Sequence, residues 1–308
     1  MSNPAEQPGN AGQEVGFRRG TLIRGIGSFY TAMDETGACF TLRCKKKFRR
    51  LGLTPLTGDT VLFSPGEGED HGWIEEILPR RSVCLRPPVA NVTLLIVVLS
   101  PVPEPDLLLA DRLISRAAAQ DLRVLLLLNK ADLAPAISPQ EAEEYRIAGL
   151  DVISVSAKTG IGLPELKDAM RGELCCFTGQ SGAGKSTLLN ALLNLELETG
   201  DISRKIARGK NTTRSAELIV RDGLRVMDTA GFSLLEPERD LPPEKLRERW
   251  SEFRPYEGRC RFRECLHDRE PGCAVQEAAD LGRVGASRLA RYRILLSEAR
   301  ETWRERYD

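Results

Sequence analysis

Hydrophobic and polar positions along the chain fall into three successive patterns. Residues 17–84 carry short alternating runs separated by Gly and Pro, at 21–23, 28–32, 38–43, 59–63 and 72–78. Period-two alternation marks strands with one face in a core, and five in so short a span predict a small closed barrel of the OB type. From residue 85 the period changes. Continuous apolar runs at 92–99, 122–128, 151–155, 174–178, 216–220 and 224–227 alternate with helical patterns at 104–119, 138–147, 163–170 and 185–193. Apolar runs that short are strands buried on both faces, so residues 85–235 are expected to form a doubly wound α/β domain on a mainly parallel sheet. Past residue 236 the chain is polar, Pro-punctuated and Arg-rich, then closes in one helical stretch, 275–305. Residues 236–308 are therefore read as a mostly helical third domain. Residues 1–16 show neither pattern and read as a disordered tail.

Composition narrows the class. The longest apolar stretch, 92–99, is far too short to span a membrane. Residues 1–16 lack the basic start and apolar centre of a signal peptide. Lys plus Arg equals Asp plus Glu, 44 each, so bulk charge does not coat a nucleic acid and any such surface must be a local patch. One patch is the run Arg43-Cys44-Lys45-Lys46-Lys47-Phe48-Arg49-Arg50 between the third and fourth strands. Such a run on its own is a solvated loop. On an OB barrel, Lys45, Lys46, Lys47, Arg49 and Arg50 with Phe48 as a stacking aromatic point to RNA.

The chemistry lies in the α/β segment. Gly179-Gln180-Ser181-Gly182-Ala183-Gly184-Lys185-Ser186-Thr187 follows a strand and opens a helix, the context of a phosphate-binding P-loop. Its glycines let backbone amides wrap phosphates, Lys185 reaches the β and γ phosphates, and the Ser186 hydroxyl ligates Mg²⁺. Asn129-Lys130-Ala131-Asp132 follows a second strand and chooses the base. The Asp132 carboxylate can accept from both N1–H and the 2-amino group of guanine, donors that adenine lacks. Lys130 is expected to pack over the base. Ser156-Ala157-Lys158 follows a third strand and suits a backbone contact to the guanine oxygen.

Asp228-Thr229-Ala230-Gly231 follows the last strand, with Asp228 holding Mg²⁺ through water and the Gly231 amide meeting the γ phosphate. Between the P-loop and this motif, a basic stretch contains Thr212 and Thr213. One of the two, Thr213 by preference, is read as the switch ligand to Mg²⁺. Lys185, Thr213 and Gly231 are thus the catalytic candidates. The order is unusual: a Ras-type GTPase runs P-loop, switch threonine, DxxG, NKxD and SAK, whereas here NKxD and SAK come first. The expected G domain is circularly permuted, and its DxxG switch leads straight into the third domain, so loss of the γ phosphate can pull on that domain.

Cys260-x4-Cys265-x-His267-x5-Cys273 offers three thiolates and an imidazole, a closed tetrahedral set for one structural Zn²⁺. Cys39, Cys44, Cys175 and Cys176 are read as packing residues.

NKAD, SAK, GQSGAGKST, NTTR and DTAGF, then the Cys/His set, behind an OB-like barrel, resemble the RsgA family of ribosome small-subunit-dependent GTPases. The resemblance implies a cytoplasmic, monomeric enzyme that converts GTP and water to GDP and phosphate. It implies action late in maturation of the 30S subunit, with stimulation by that subunit and its rRNA gripped by barrel and zinc domain. Arg249, Arg254, Arg259, Arg261 and Arg263 would join the basic run on rRNA phosphates. Two positions depart from the family pattern: Asn211 stands where His is common, and Ala230 where Pro is common. Phe232 stands where Ras-type enzymes carry the water-orienting Gln. Unassisted hydrolysis is therefore expected to be slow. A nucleotide-gated RNA-binding module with incidental hydrolysis, or a GTPase acting on another RNA, is the alternative.

Overall fold

The computed structural model describes residues 16–66, 70–85, 88–194, 216–228 and 241–306. The expected tail lies outside them, apart from Gly16.

Five strands build the barrel: β1 (Arg18–Ile26), β2 (Phe29–Asp34), β3 (Cys39–Cys44), β4 (Thr60–Ser64) and β5 (Gly72–Ile77). β1 pairs with both β2 and β4, β3 with β5, and β5 with β4, which closes the ring. Alternate residues Leu22, Ala32, Leu42, Val61, Phe63 and Ile74 fill its interior. The basic run is not a loop. It forms a short helix, α1 (Lys46–Arg50), whose Phe48 is only 4% exposed and belongs to the barrel core. A small barrel has an open end, and an aromatic plug removes more apolar surface from water there than it would on a solvated loop. Phe48 therefore cannot stack on RNA. Cys39 is exposed and is not a packing residue, whereas Cys175 and Cys176 are buried.

A hairpin of β6 (Val83–Leu85) and β7 (Pro88–Ala90) connects the barrel to the α/β sheet. The sheet elements follow as β8 (Leu94–Leu99), α2 (Leu107–Ala118), β9 (Arg123–Leu128), α3 (Pro139–Ile147), β10 (Asp151–Ser154) and α4 (Leu163–Met170). β11 (Leu174–Gly179), α5 (Lys185–Leu193), β12 (Glu217–Arg221) and β13 (Leu224–Asp228) complete it. Strand order is β10-β9-β8-β11-β13-β12, parallel except for β12. β8 shows why its run is unbroken: Leu95, Val97 and Leu99 enter the core under α2 and α3, while Leu94, Ile96 and Val98 enter the core under α4 and α5. Barrel and sheet are continuous, because Arg24 of β1 pairs with Glu217 of β12 and the Thr57 hydroxyl donates to the Ala216 carbonyl at 3.0 Å.

The expected helix 275–305 is two, α6 (Ala274–Asp280) and α7 (Ala286–Arg304). Gly282, at φ 68°, ends the first in the left-handed conformation that stops helices. Two 3₁₀ turns, Pro243–Arg249 and Ser251–Tyr256, precede them. Trp250, Phe253 and Tyr292 form the centre of this domain's core.

The third domain docks on α2 and α3. Arg288 of α7 is 2% exposed and donates to Asp111 of α2 and, at 2.7 Å, to Glu252. Arg291 also donates to Asp111, and both guanidinium groups lie over the Tyr145 ring of α3. Glu144 accepts from Ser287 and from the Arg288 amide at the start of α7. No helix among the described residues is long and apolar enough to cross a membrane.

Candidate nucleotide site and metal centre

Three loops meet at the C-terminal edge of the parallel strands, where open α/β sheets bind ligands. β11 delivers the first. Gly179 sits at φ 123°, and a Cβ there would lie 2.4 Å from the Val98 carbonyl oxygen of β8. Gly184 sits at φ 89° directly before α5, and a Cβ there would lie 2.5 Å from Asn129 Nδ2. Only glycine lets the loop fold this tightly against its neighbours. Ser186 and Thr187 lie exposed in the first turn of α5, beside its unpaired amides and positive dipole end. Lys185 Nζ folds back on the carbonyls of Gly179 (2.9 Å) and Gln180 (2.7 Å). Burial holds its pKa below the ordinary lysine value. Gln180 accepts from the Asp106 amide, and Ser181 and Gly182 are exposed.

β9 delivers the second loop. Asn129 is buried, and its Nδ2 donates to the Ala183 carbonyl at 2.8 Å. Its Oδ1 is buried without a partner, which fits a side chain that completes its bonding with a ligand. Lys130 adopts φ 61° and its Nζ bridges the carbonyls of Val102 and Gly182. Sequence reading did not foresee Val102, since nothing in its local pattern marks a carbonyl as an anchor. β10 delivers the third loop: the buried Ser156 hydroxyl donates to Asp132 Oδ1 at 2.6 Å, and the Ala131 amide donates to the Val155 carbonyl at 3.0 Å. The Ser156 hydrogen bond, aided by Lys158 and Lys130, holds the exposed Asp132 carboxyl below the usual range. NKAD, SAK and P-loop are thus one hydrogen-bonded unit, with Ala157 and Lys158 exposed or half-buried at its rim.

Asp228 ends β13, which pairs with β11 at Cys176 and Met227, so its backbone stands at the same edge as the P-loop. Thr213 and Gly231, with Asn211, Ala230 and Phe232, lie outside the described residues.

In the third domain, Cys260, Cys265, His267 and Cys273 converge so that their ligand atoms all lie within 4.8 Å of one another. The three Sγ atoms are 3.7, 3.6 and 3.4 Å from His267 Nδ1. A tetrahedral zinc with ordinary Zn–S and Zn–N bonds puts S and N about 3.5 Å apart, so the donor set fits that ion. Burial lowers the His267 pKa to about 4, which leaves the neutral imidazole that ligates metals. The loop is braced from outside: the Tyr292 hydroxyl donates to the Leu266 carbonyl at 2.7 Å, Arg247 to the Cys265 carbonyl at 2.6 Å, and Glu270 accepts from the Leu266 and Asp268 amides at 2.9 Å each. Arg254, Arg259, Arg261 and Arg263 are exposed around it, and Arg249 is half-buried.

On the barrel, Lys45 pairs with Glu75, and Lys47 donates to the Glu75 carbonyl at 2.6 Å. Lys46 and Arg50 are exposed.

Comparison with known proteins agrees with this architecture. Family models described as RsgA N-terminal domain and RsgA GTPase match residues 19–74 and 77–238. The Small ribosomal subunit biogenesis GTPase RsgA of Ruminiclostridium cellulolyticum is 42% identical over 278 residues, covering 89% of this chain and 91% of the relative. That of Moorella thermoacetica is 43% identical, covering 91% and 96%. The crystal structure of YjeQ from Thermotoga maritima superposes with a TM-score of 0.78 at 33% identity, covering 92% of this chain and 98% of that one. YloQ, described as a circularly permuted GTPase, superposes at 0.76 and 31% identity, covering 95% and 98%. Motif order, strand connectivity and relatives converge, and the chain belongs to the RsgA family of circularly permuted GTPases.

Proposed function

We propose that the chain hydrolyses GTP in the cytoplasm, as a monomer, during late maturation of the 30S ribosomal subunit, and that the subunit stimulates it. The observation that carries the reading is the union of base selector and phosphate cradle: Asn129 bonds to Ala183 of the P-loop while Ser156 orients Asp132. Asp132 accepts from guanine N1–H and the 2-amino group, with Lys130 beneath the base and Ala157 and Lys158 at its oxygen. Amides of Gly179 to Thr187 and the α5 terminus hold the phosphates. Ser186, Thr213 and the water shell of Asp228 would hold a magnesium ion, which supplies charge neutralisation between the β and γ phosphates. Lys185 exchanges its two carbonyl partners for phosphate oxygens, and the Gly231 amide positions the γ phosphate for in-line attack by water.

Relatives named small ribosomal subunit biogenesis GTPases support the 30S subunit as partner. Phe232 cannot orient water by hydrogen bonding, and Asn211 cannot act as acid or base. We assign the missing geometry to the RNA-bound state. The same two residues favour the second reading, an RNA-binding module in which hydrolysis is incidental. Single-turnover GTP hydrolysis with and without purified 30S subunits separates the two. Acceleration of at least tenfold, absent with ATP, is expected; an unchanged rate contradicts stimulation.

A further inference from the structure

Phe48 lies inside the barrel, and the outer face of the barrel carries a different aromatic row. Ile26 of β1 lies opposite Phe29 of β2, Phe29 opposite Arg43 of β3, and Arg43 opposite Trp73 of β5. Directly opposed residues project from the same face of a sheet. The next residues along, Leu42 and Ile74, fill the core, so this row faces out. Ile26 is 54% exposed, Phe29 37% and Trp73 42%. The Arg43 guanidinium lies 4.8 Å over the Phe29 ring, and the His71 ring meets Phe29 edge-on at 4.9 Å.

We infer that this row is a stacking platform for unpaired RNA bases. It deepens the ribosomal-RNA reading and rests on it for the source of the RNA. The Arg43 guanidinium stacked on Phe29, together with the Trp73 ring, offers flat cationic and π surfaces that every base can use. Three inter-strand steps span about 14 Å, room for two or three bases. Beside the row, Lys45 and the Ser64 hydroxyl engage the Glu75 carboxylate and Lys47 donates to the Glu75 carbonyl, so that carboxylate is already partnered and repels phosphate less. An acceptor-rich backbone with flat bases fits this arrangement better than an apolar protein surface does.

The test uses the full-length protein and a fluorescently labelled, unstructured uridine-rich RNA 12-mer, read by anisotropy, beside co-sedimentation with 30S subunits. Phe29→Ala with Trp73→Ala weakens 12-mer binding about tenfold or more. The salt dependence of affinity stays as in the wild type, because phosphate contacts are untouched. Phe29→Tyr with Trp73→Phe keeps both π faces and restores binding. No wild-type binding of the 12-mer, or equal binding by the alanine variant, overturns the platform. Loss of 30S co-sedimentation with unchanged 12-mer affinity also overturns it, and assigns the face to a ribosomal protein. Retained 12-mer stacking with no 30S co-sedimentation supports the platform and removes only the ribosomal reading.

Discussion

On the proposed reading, Asp132 carries the base selectivity, and its neighbours fix it for that task. Ser156 spends its hydroxyl proton on Oδ1, which orients the carboxylate and keeps it ionised. Asp132→Asn puts a donor where guanine's 2-amino group donates, so GTP affinity is expected to fall about a hundredfold, with xanthosine triphosphate bound better than GTP. Competition between the two nucleotides measures it. The folded carboxyl lies below its ordinary 3.8, so it is deprotonated at neutral pH and loses its acceptor pair only as pH falls through that depressed value. The ratio of GDP to ADP affinity, which cancels phosphate titration, is therefore expected to stay flat from about pH 7.5 to about pH 5. A ratio that declines through pH 6 contradicts the assignment. These residues were legible because each motif is contiguous and its chemistry is local. Val102, which anchors Lys130, was not, because a backbone carbonyl leaves no trace in residue type.

At the scale of elements, the strands were legible from period alone: β8 reads as an unbroken apolar run because both its faces are buried. α1 was not legible. Its four cations hide one aromatic, and only the closed barrel reveals an open end for Phe48 to fill. Phe48→Ala is expected to destabilise the barrel by about 3–5 kcal/mol, seen as a lower urea midpoint. The break between α6 and α7 was also missed, because helical periodicity on both sides outweighed Gly282, at φ 68°, and Gly285, the residue before α7. Gly184→Ala should abolish measurable GDP binding by calorimetry, since its Cβ meets Asn129 at 2.5 Å and the backbone conformation itself excludes a side chain. Tight GDP binding by that variant would show that the cradle tolerates rearrangement.

Across the whole molecule, the contact that orients the domains joins residues far apart in the chain. Asp111 and Arg288 are 177 positions apart, so no local pattern announces them. Arg288→Met leaves Asp111 and Glu252 buried with less counter-charge and is expected to cost about 3–5 kcal/mol of stability. The clasp also bears on the proposed coupling. The third domain is fastened to α2 and α3, so a pull on it from the nucleotide site would act on a docked body rather than a loose one. Zinc removal is expected to unfold the Cys/His loop, with one zinc per chain by elemental analysis before chelation. On the third domain's side the clasp uses α7 and the turn at Glu252, not the Cys/His loop, so crosslinking between positions 111 and 288 should survive chelation. We propose that the γ phosphate strengthens the grip on ribosomal RNA and that its loss releases the protein, and sedimentation with purified 30S subunits tests this most directly. Co-migration is expected with a non-hydrolysable GTP analogue and release with GDP; equal co-migration in both would contradict it.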